Sequence, residues 1–114
     1  MRNRYFLRFP DATKARGSEP ALAFRSVGAQ GMAEELQDAL TGTGLFDRRR
    51  NMKEDPDAVD PGMGAVDPQA KVEGKQHDLA VDLVATTDLP GAVFKHRLKL
   101  LAGGGWQLRD VTSA

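Results

Sequence analysis

The two histidines are the side chains of this sequence that are best suited to acid–base chemistry near neutral pH. His77 begins a predicted strand, and His96 lies between Phe94 and Leu98 in the apolar phase of another. A buried imidazole can act as a general base there, although a core histidine that is hydrogen-bonded internally produces the same pattern. One hypothesis is therefore a small-molecule or enzymatic role in a pocket between helix and sheet, near His96 and Trp106.

Other catalytic and cofactor-binding motifs are missing from the sequence. It contains no cysteine, no HExxH metal motif and no serine in a nucleophile-elbow context. The glycine-rich stretches at 42–44 and 103–105 lack the lysine or the spacing of phosphate-binding loops, so they are interpreted as turns. The sequence predicts no cofactor, and it favours a non-enzymatic role.

An acidic stretch, DPDAVDPGMGAVDP at 55–68, raises the question of a cation site, and the tetrapeptide AVDP occurs in it twice. Hard cations need several oxygens that converge from a tightly turned backbone. Three of its four aspartates precede proline, which favours extended backbone and directs successive carboxylates apart. The sequence therefore predicts no metal site, but a flexible acidic loop at 54–70. The aspartates are Asp55, Asp57, Asp60 and Asp67.

Hydrophobic periodicity predicts the elements that position these residues. Strands are expected where apolar residues alternate, and helices where they recur at intervals of three and four. Proline and glycine mark the ends of most of these segments. The predicted strands are 4–9, 21–27, 71–87, 91–101 and 106–112, and the predicted helices are 31–40 and 45–53.

The order of these elements predicts the fold class. Two strands, one or two helices and three further strands give the order ββα(α)βββ. We expect an α+β domain with a mostly antiparallel sheet of about five strands and the helices packed on one face. The length of 114 residues fits a single domain over 1–114.

The outward face of the predicted sheet combines positive charge with apolar side chains. Arginine and lysine can bind phosphates while an aromatic ring stacks on a base, so single-stranded RNA or DNA binding is one alternative. The outward side of an antiparallel sheet is also charged when it is merely solvated. The candidate binding residues are Arg4, Phe6, Arg8, Lys95, Arg97, Lys99 and Arg109.

Composition and charge restrict the function classes. The chain has no run of about 18 apolar residues and no continuous signal-peptide core, so no membrane partner and a cytoplasmic location are expected. Net charge is zero, but residues 1–30 carry +4, residues 31–70 carry −5 and residues 71–114 carry +1. Such zones permit attraction between copies of the chain. The leading hypothesis is a non-enzymatic binding or adaptor module that contacts an unknown protein partner, or a second copy, through the cationic and apolar sheet face.

Overall fold

The computed structural model of the chain describes residues 2–51 and 64–114. This part of the chain contains four strands and three α-helices, so the α+β class with an antiparallel sheet is confirmed. A short 3-10 helix, Ala12–Lys14, follows the first strand. The elements are β1 (Asn3–Phe9), α1 (Ala29–Thr41), α2 (Gly44–Asn51), β2 (Lys71–His77), β3 (Ala80–Thr87), α3 (Gly91–Ala102) and β4 (Gln107–Ser113).

The sheet has the strand order β2-β3-β1-β4, and every pair of neighbours is antiparallel. Two βαβ units, β1–α1–β2 and β3–α3–β4, are interleaved, because each unit has a strand of the other between its own two strands. This is the split βαβ arrangement. It places β1 and β3 in the centre and leaves β2 and β4 as the edges.

The helix predicted at 31–40 is confirmed as α1, with two further residues at its N-terminus and one at its C-terminus. Met32, Leu36 and Leu40 recur at helical spacing and are fully buried. The helix ends at Gly42, whose N–H donates to the Asp38 carbonyl at 3.2 Å. The shorter predicted helix corresponds to α2, and its last two predicted residues lie outside the described part of the chain.

The prediction of a strand at 91–101 is wrong, because this segment forms α3. The alternation of Phe94, Leu98 and Leu100 with charged residues imitates a strand, but a helical stripe is present as well. Its members recur at intervals of three and four and face the core, and Pro90 and Gly103 flank the helix. The stripe contains Val93, Phe94, Arg97, Leu98, Leu101 and Ala102.

The prediction of a strand at 21–27 is also wrong, and the single strand predicted at 71–87 forms two, β2 and β3. The sheet therefore has four strands instead of about five, and the predicted order ββα(α)βββ does not hold. Both edges of β1 are occupied, by β3 and β4, and therefore no backbone groups remain for a further neighbour. Leu22 and Phe24 of this segment are buried, and the Phe24 ring meets Phe9 of β1 edge to face. The Phe24 N–H donates to the Leu101 carbonyl of α3 at 2.9 Å. The apolar residues of the segment belong to the core without belonging to the sheet.

The core lies between one face of the sheet and helices α1 and α3. Tyr5, Leu7 and Phe9 alternate along β1 and are buried on this face, and the Tyr5 ring stacks on Phe94 of α3 at 4.2 Å. Burying this layer removes large apolar side chains from water, which is the main stabilising contribution in a domain of this size. Within the described residues, no helix is long and apolar enough to cross a membrane.

Candidate functional site

The sheet face opposite the helices has a small apolar centre. Arg4, Phe6 and Arg8 alternate with the buried residues of β1 and are half-buried or exposed. Phe6 lies opposite Val84 of β3 and Asp110 of β4. We call this surface the open face, and by register it comprises Arg4, Phe6, Arg8, Lys71, Glu73, Lys75, Asp82, Val84, Thr86, Asp110 and Thr112.

Charges of both signs surround this apolar centre. The Arg8 guanidinium donates through Nε to Asp82 Oδ1 at 3.0 Å, and His77 Nε2 lies 3.1 Å from the other oxygen of the same carboxylate. Glu73 and Asp110 add further negative charge beside the cations. The open face therefore carries less positive charge than the sequence predicted, and its electrostatic potential has regions of both signs.

The candidate binding residues do not form one surface. Arg4, Phe6 and Arg8 lie on the open face and Arg109 is exposed on β4, but the remaining three belong to α3. Lys95 and Lys99 are exposed there, whereas Arg97 is only 1 % exposed. Because α3 lies on the other side of the sheet from the open face, the seven residues cannot contact one ligand together. The separated residues of α3 are Lys95, Arg97 and Lys99.

The edge strand β4 carries an apolar patch. The register with β1 shifts so that Leu7 pairs with Leu108 and Phe6 with Asp110, which makes Arg109 the extra residue of a β-bulge. The bulge brings Leu108 and Val111 to the same, helix-facing side of the sheet. There they are 40 % and 42 % exposed, which is unusual for large apolar side chains that flank a core.

The two edges of the sheet are protected differently. On β2, the Val72 N–H is bound by the side-chain oxygen of Gln37 in α1 at 3.0 Å, and charged Lys71 and Lys75 flank it. On β4, the Val111 N–H is bound only by the neighbouring carboxylate of Asp110, at 2.8 Å in an exposed position. Such a local hydrogen bond is easily exchanged, so β4 is the less protected edge.

His96 and Trp106 line one concavity, which lies on the exposed side of α3, whereas the sequence hypothesis placed a pocket between helix and sheet. The volume of this concavity is about 640 Å³. The indole Nε1 of Trp106 donates to the Gly103 carbonyl at 3.0 Å, which holds the ring beside the end of the helix. The lining residues are Ala92, Lys95, His96, Lys99, Gly103, Gly104 and Trp106.

A second concavity of about 360 Å³ adjoins the first one. Arg49 of α2 enters its lining, and His96 and Lys99 line both. Burial lowers the pKa of His96, and the positive charges of Arg49, Arg97 and Lys99 lower it further. The imidazole is therefore neutral near pH 7 in a region of positive potential.

A buried carboxylate in the second AVDP repeat was missed by sequence reasoning. Asp67 is 3 % exposed and accepts two hydrogen bonds from the Arg2 guanidinium, at 2.8 and 3.0 Å. It also accepts from the Thr87 hydroxyl at 2.9 Å and from the Asp88 and Gln69 N–H groups at 3.1 Å each. The Arg2 hydrogen bonds, supported by the others, hold the pKa of Asp67 well below its usual range, although burial acts in the opposite direction.

This geometry changes the interpretation of the predicted acidic loop. Asp55, Asp57 and Asp60 lie outside the described residues. The Asp67 carboxylate forms an ion pair with Arg2. The Asp67 N–H donates to the Leu40 carbonyl at 2.8 Å, so the second AVDP repeat is attached to the end of α1. Among residues 2–51 and 64–114, no group of three or more acidic or histidine side chains is placed to hold a metal ion.

Comparisons with protein-family models, curated sequences and solved structures give no match for this chain. Its function is therefore inferred from the surfaces described above.

Proposed function

We propose that the chain is a small cytoplasmic, non-enzymatic protein-interaction module that pairs with a second copy of itself through β4. The observation that carries this proposal is the exposed apolar pair Leu108 and Val111 on the less protected edge of the sheet. An edge strand with unpaired backbone groups and apolar side chains is a template for pairing with another strand.

The charge pattern of β4 favours a second copy as the occupant of this edge. In an antiparallel pair of β4 strands centred between Arg109 and Asp110, each arginine faces the aspartate of the other copy. The same register sets Leu108 against Val111 of the second copy, on the same side of the sheet. Opposite charges and apolar pairs directly across two strands each stabilise the pairing by about 0.2–1 kcal/mol. Such an interface is self-complementary, as a two-fold dimer requires.

The open face then provides the surface for a further protein partner. Phe6 and Val84 form an apolar centre, and cations and anions surround it. An apolar centre with a polar rim is typical of protein interfaces, whereas a surface of mixed sign is less suited to a polyanion. Pairing through β4 would extend the sheet and place two such surfaces side by side.

Substitution of both Leu108 and Val111 by lysine tests the pairing. We expect the wild-type chain to dimerise at micromolar concentrations and the double variant to associate at least about tenfold more weakly, since each buried aliphatic side chain contributes about 1.5 kcal/mol. Sedimentation equilibrium at several concentrations measures this change.

The matched control is lysine at Leu79 and Val27, which are 61 % and 53 % exposed away from β4. These substitutions should leave the dimer intact. A wild-type chain that is strictly monomeric at high micromolar concentration, or equal weakening by both double variants, would contradict pairing through β4.

Single-stranded nucleic acid is the second candidate partner of the open face, because Phe6 lies between Arg4 and Arg8 on a central strand. In this case Phe6→Ala should weaken binding by about tenfold through lost stacking on a base. Arg4→Gln should reduce the dependence of binding on salt concentration, because one phosphate contact is lost.

Fluorescence polarisation with labelled single-stranded RNA at several salt concentrations measures both effects. Lys14→Gln removes an exposed cation outside the open face and serves as the control. Binding that is absent at low salt, or that all three variants leave unchanged, rejects this candidate.

A further inference from the structure

The two concavities beside α3 adjoin each other and differ in character. They share His96, Lys99, Gly103 and Gly104, so a ligand that spans these residues can contact both. Their volumes of about 640 and 360 Å³ are in the range of small-molecule sites. We call the combined surface the α3 groove.

One end of the α3 groove is cationic. Arg49 comes from α2 and Lys99 from α3, and neither forms an ion pair with another described residue. Among residues 2–51 and 64–114, Glu19 is the only acidic residue in the lining. Arg49 and Lys99 form no ion pair with a described carboxylate and outnumber the one described acidic residue beside them, so this end of the groove attracts an anion.

The other end of the α3 groove is mostly apolar. Trp106 provides a large flat surface, and its hydrogen bond to the Gly103 carbonyl fixes the ring in place. The groove is open at Gly104, because a Cβ atom at this position would meet no other atom within 4 Å. The aliphatic stems of Lys95 and Lys99 can cover a planar ligand while their charged ends stay in water.

We propose that the α3 groove binds a small planar aromatic compound that carries an anionic group, a carboxylate or a phosphate. The ring lies against Trp106, and the anionic group lies between Arg49 and Lys99. His96 lies between the two ends, where it can donate a hydrogen bond to the anion. The proposed pairing through β4 depends on Leu108 and Val111, and neither of these residues lines the α3 groove, so the two proposals can be tested by separate variants.

A set of three matched compounds tests this proposal. Phenyl phosphate contains both parts of the ligand, phenol contains the ring alone, and inorganic phosphate contains the anion alone. Trp106 is the only tryptophan of the chain, so the single indole N–H signal in the NMR spectrum reports on the groove directly. We expect phenyl phosphate to shift this signal and to bind at least about tenfold more tightly than either partial compound.

Charge-removing variants identify the groups that bind the anion. Arg49→Gln combined with Lys99→Gln should weaken phenyl phosphate binding by about fivefold or more and leave phenol binding unchanged. The control combines Arg4→Gln with Lys14→Gln, which removes two exposed cations from other surfaces. Benzoate replaces phenyl phosphate in a parallel titration. Tighter binding of benzoate indicates a carboxylate ligand, and tighter binding of phenyl phosphate indicates a phosphate ligand.

Three results overturn the proposal. They are an indole signal that none of the compounds shifts, equal affinity for phenol and phenyl phosphate, and an affinity that the Arg49 and Lys99 variant does not lower relative to the control. Each of these results leaves the sedimentation experiment on β4 unaffected, so a failure here is distinguishable from a failure of the proposed function.

Discussion

Replacement of Arg97 by alanine is expected to lower the free energy of unfolding by about 4 kcal/mol, the largest effect of any substitution considered. The Arg97 side chain is buried in α3, and its Nη1 donates to the Ala39 carbonyl at 2.9 Å. Its Nη2 donates to the Ala65 carbonyl. Alanine would remove both hydrogen bonds and leave a cavity where the long side chain packs.

The position of the Ala39 carbonyl explains why a cation is tolerated in this core. Ala39 belongs to the last turn of α1, where carbonyls lack partners within the helix and the helix dipole is negative. Burial lowers the pKa of Arg97, but a guanidinium remains charged at any physiological pH. Arg97 therefore connects α3 to the end of α1 and to the segment that precedes β2.

Chemical denaturation followed by circular dichroism measures this loss. Arg97→Met keeps most of the volume and removes the donors, so it should cost about 2 kcal/mol and separate packing from hydrogen bonding. Lys99→Ala, on the exposed side of the same helix, is the control and should stay within about 0.5 kcal/mol of the wild type. A loss below about 1 kcal/mol for Arg97→Ala would show that the guanidinium is not essential to the fold.

Asp67→Asn is expected to cost about 3 kcal/mol at neutral pH, because it removes the buried carboxylate of a partly buried ion pair and leaves the donors around it without full compensation. The carboxylate joins Arg2, which precedes β1, to Thr87, the last residue of β3. An amide has one acceptor oxygen in place of two, so it cannot bind the Arg2 guanidinium in the same way.

The same pair gives a pH dependence with a defined sign. The pKa of Asp67 is lower in the folded chain than its unfolded value of 3.8, so its contribution to stability is complete above that value. The contribution is lost as pH falls from there toward the folded pKa, because protonation breaks the contact with Arg2. The stability difference between wild type and Asp67→Asn should therefore be constant from pH 7 to about pH 5 and shrink below about pH 4.

Thermal unfolding across this pH range measures the difference. Asp38→Asn on the exposed side of α1 is the control, and its difference from the wild type should be small at every pH. A difference for Asp67→Asn that stays constant down to pH 3 would contradict the assignment of this pH dependence to Asp67.

Elements with one clear periodicity were predicted correctly from the sequence. From Arg4 to Phe9, β1 alternates between outward and buried residues, and the apolar stripe of α1 fits only a helix. α3 was missed because its apolar residues fit both periods, and because the helical stripe includes a charged residue, Arg97, at a core position. A search of 93–102 for apolar residues at intervals of three and four would have identified the stripe. It would not have identified the carbonyls that bind the Arg97 guanidinium.

The error in α3 also explains where the sequence placed the candidate residues. His96 and Trp106 are close in space because α3 ends just before Trp106, although the sequence placed both on strands. The seven cationic and apolar residues were assigned to one face only because α3 was interpreted as a strand. The role of Asp67 was not predictable from local pattern, since its partners lie 65 and 20 residues away in the chain.

The central position of β1 has a consequence for the synthesis of the chain. β1 precedes the other described strands in the chain, but both of its neighbours, β3 and β4, come from the second half of the sequence. Pairing between distant segments requires the closure of long loops, so sheet formation is expected to be the slow step of folding. A nascent chain therefore leaves both edges of β1 unpaired until β3 and β4 have left the ribosome, and Tyr5 lacks its stacking partner Phe94 until α3 has emerged. During this interval the chain is most vulnerable to aggregation, and fast completion of translation protects it.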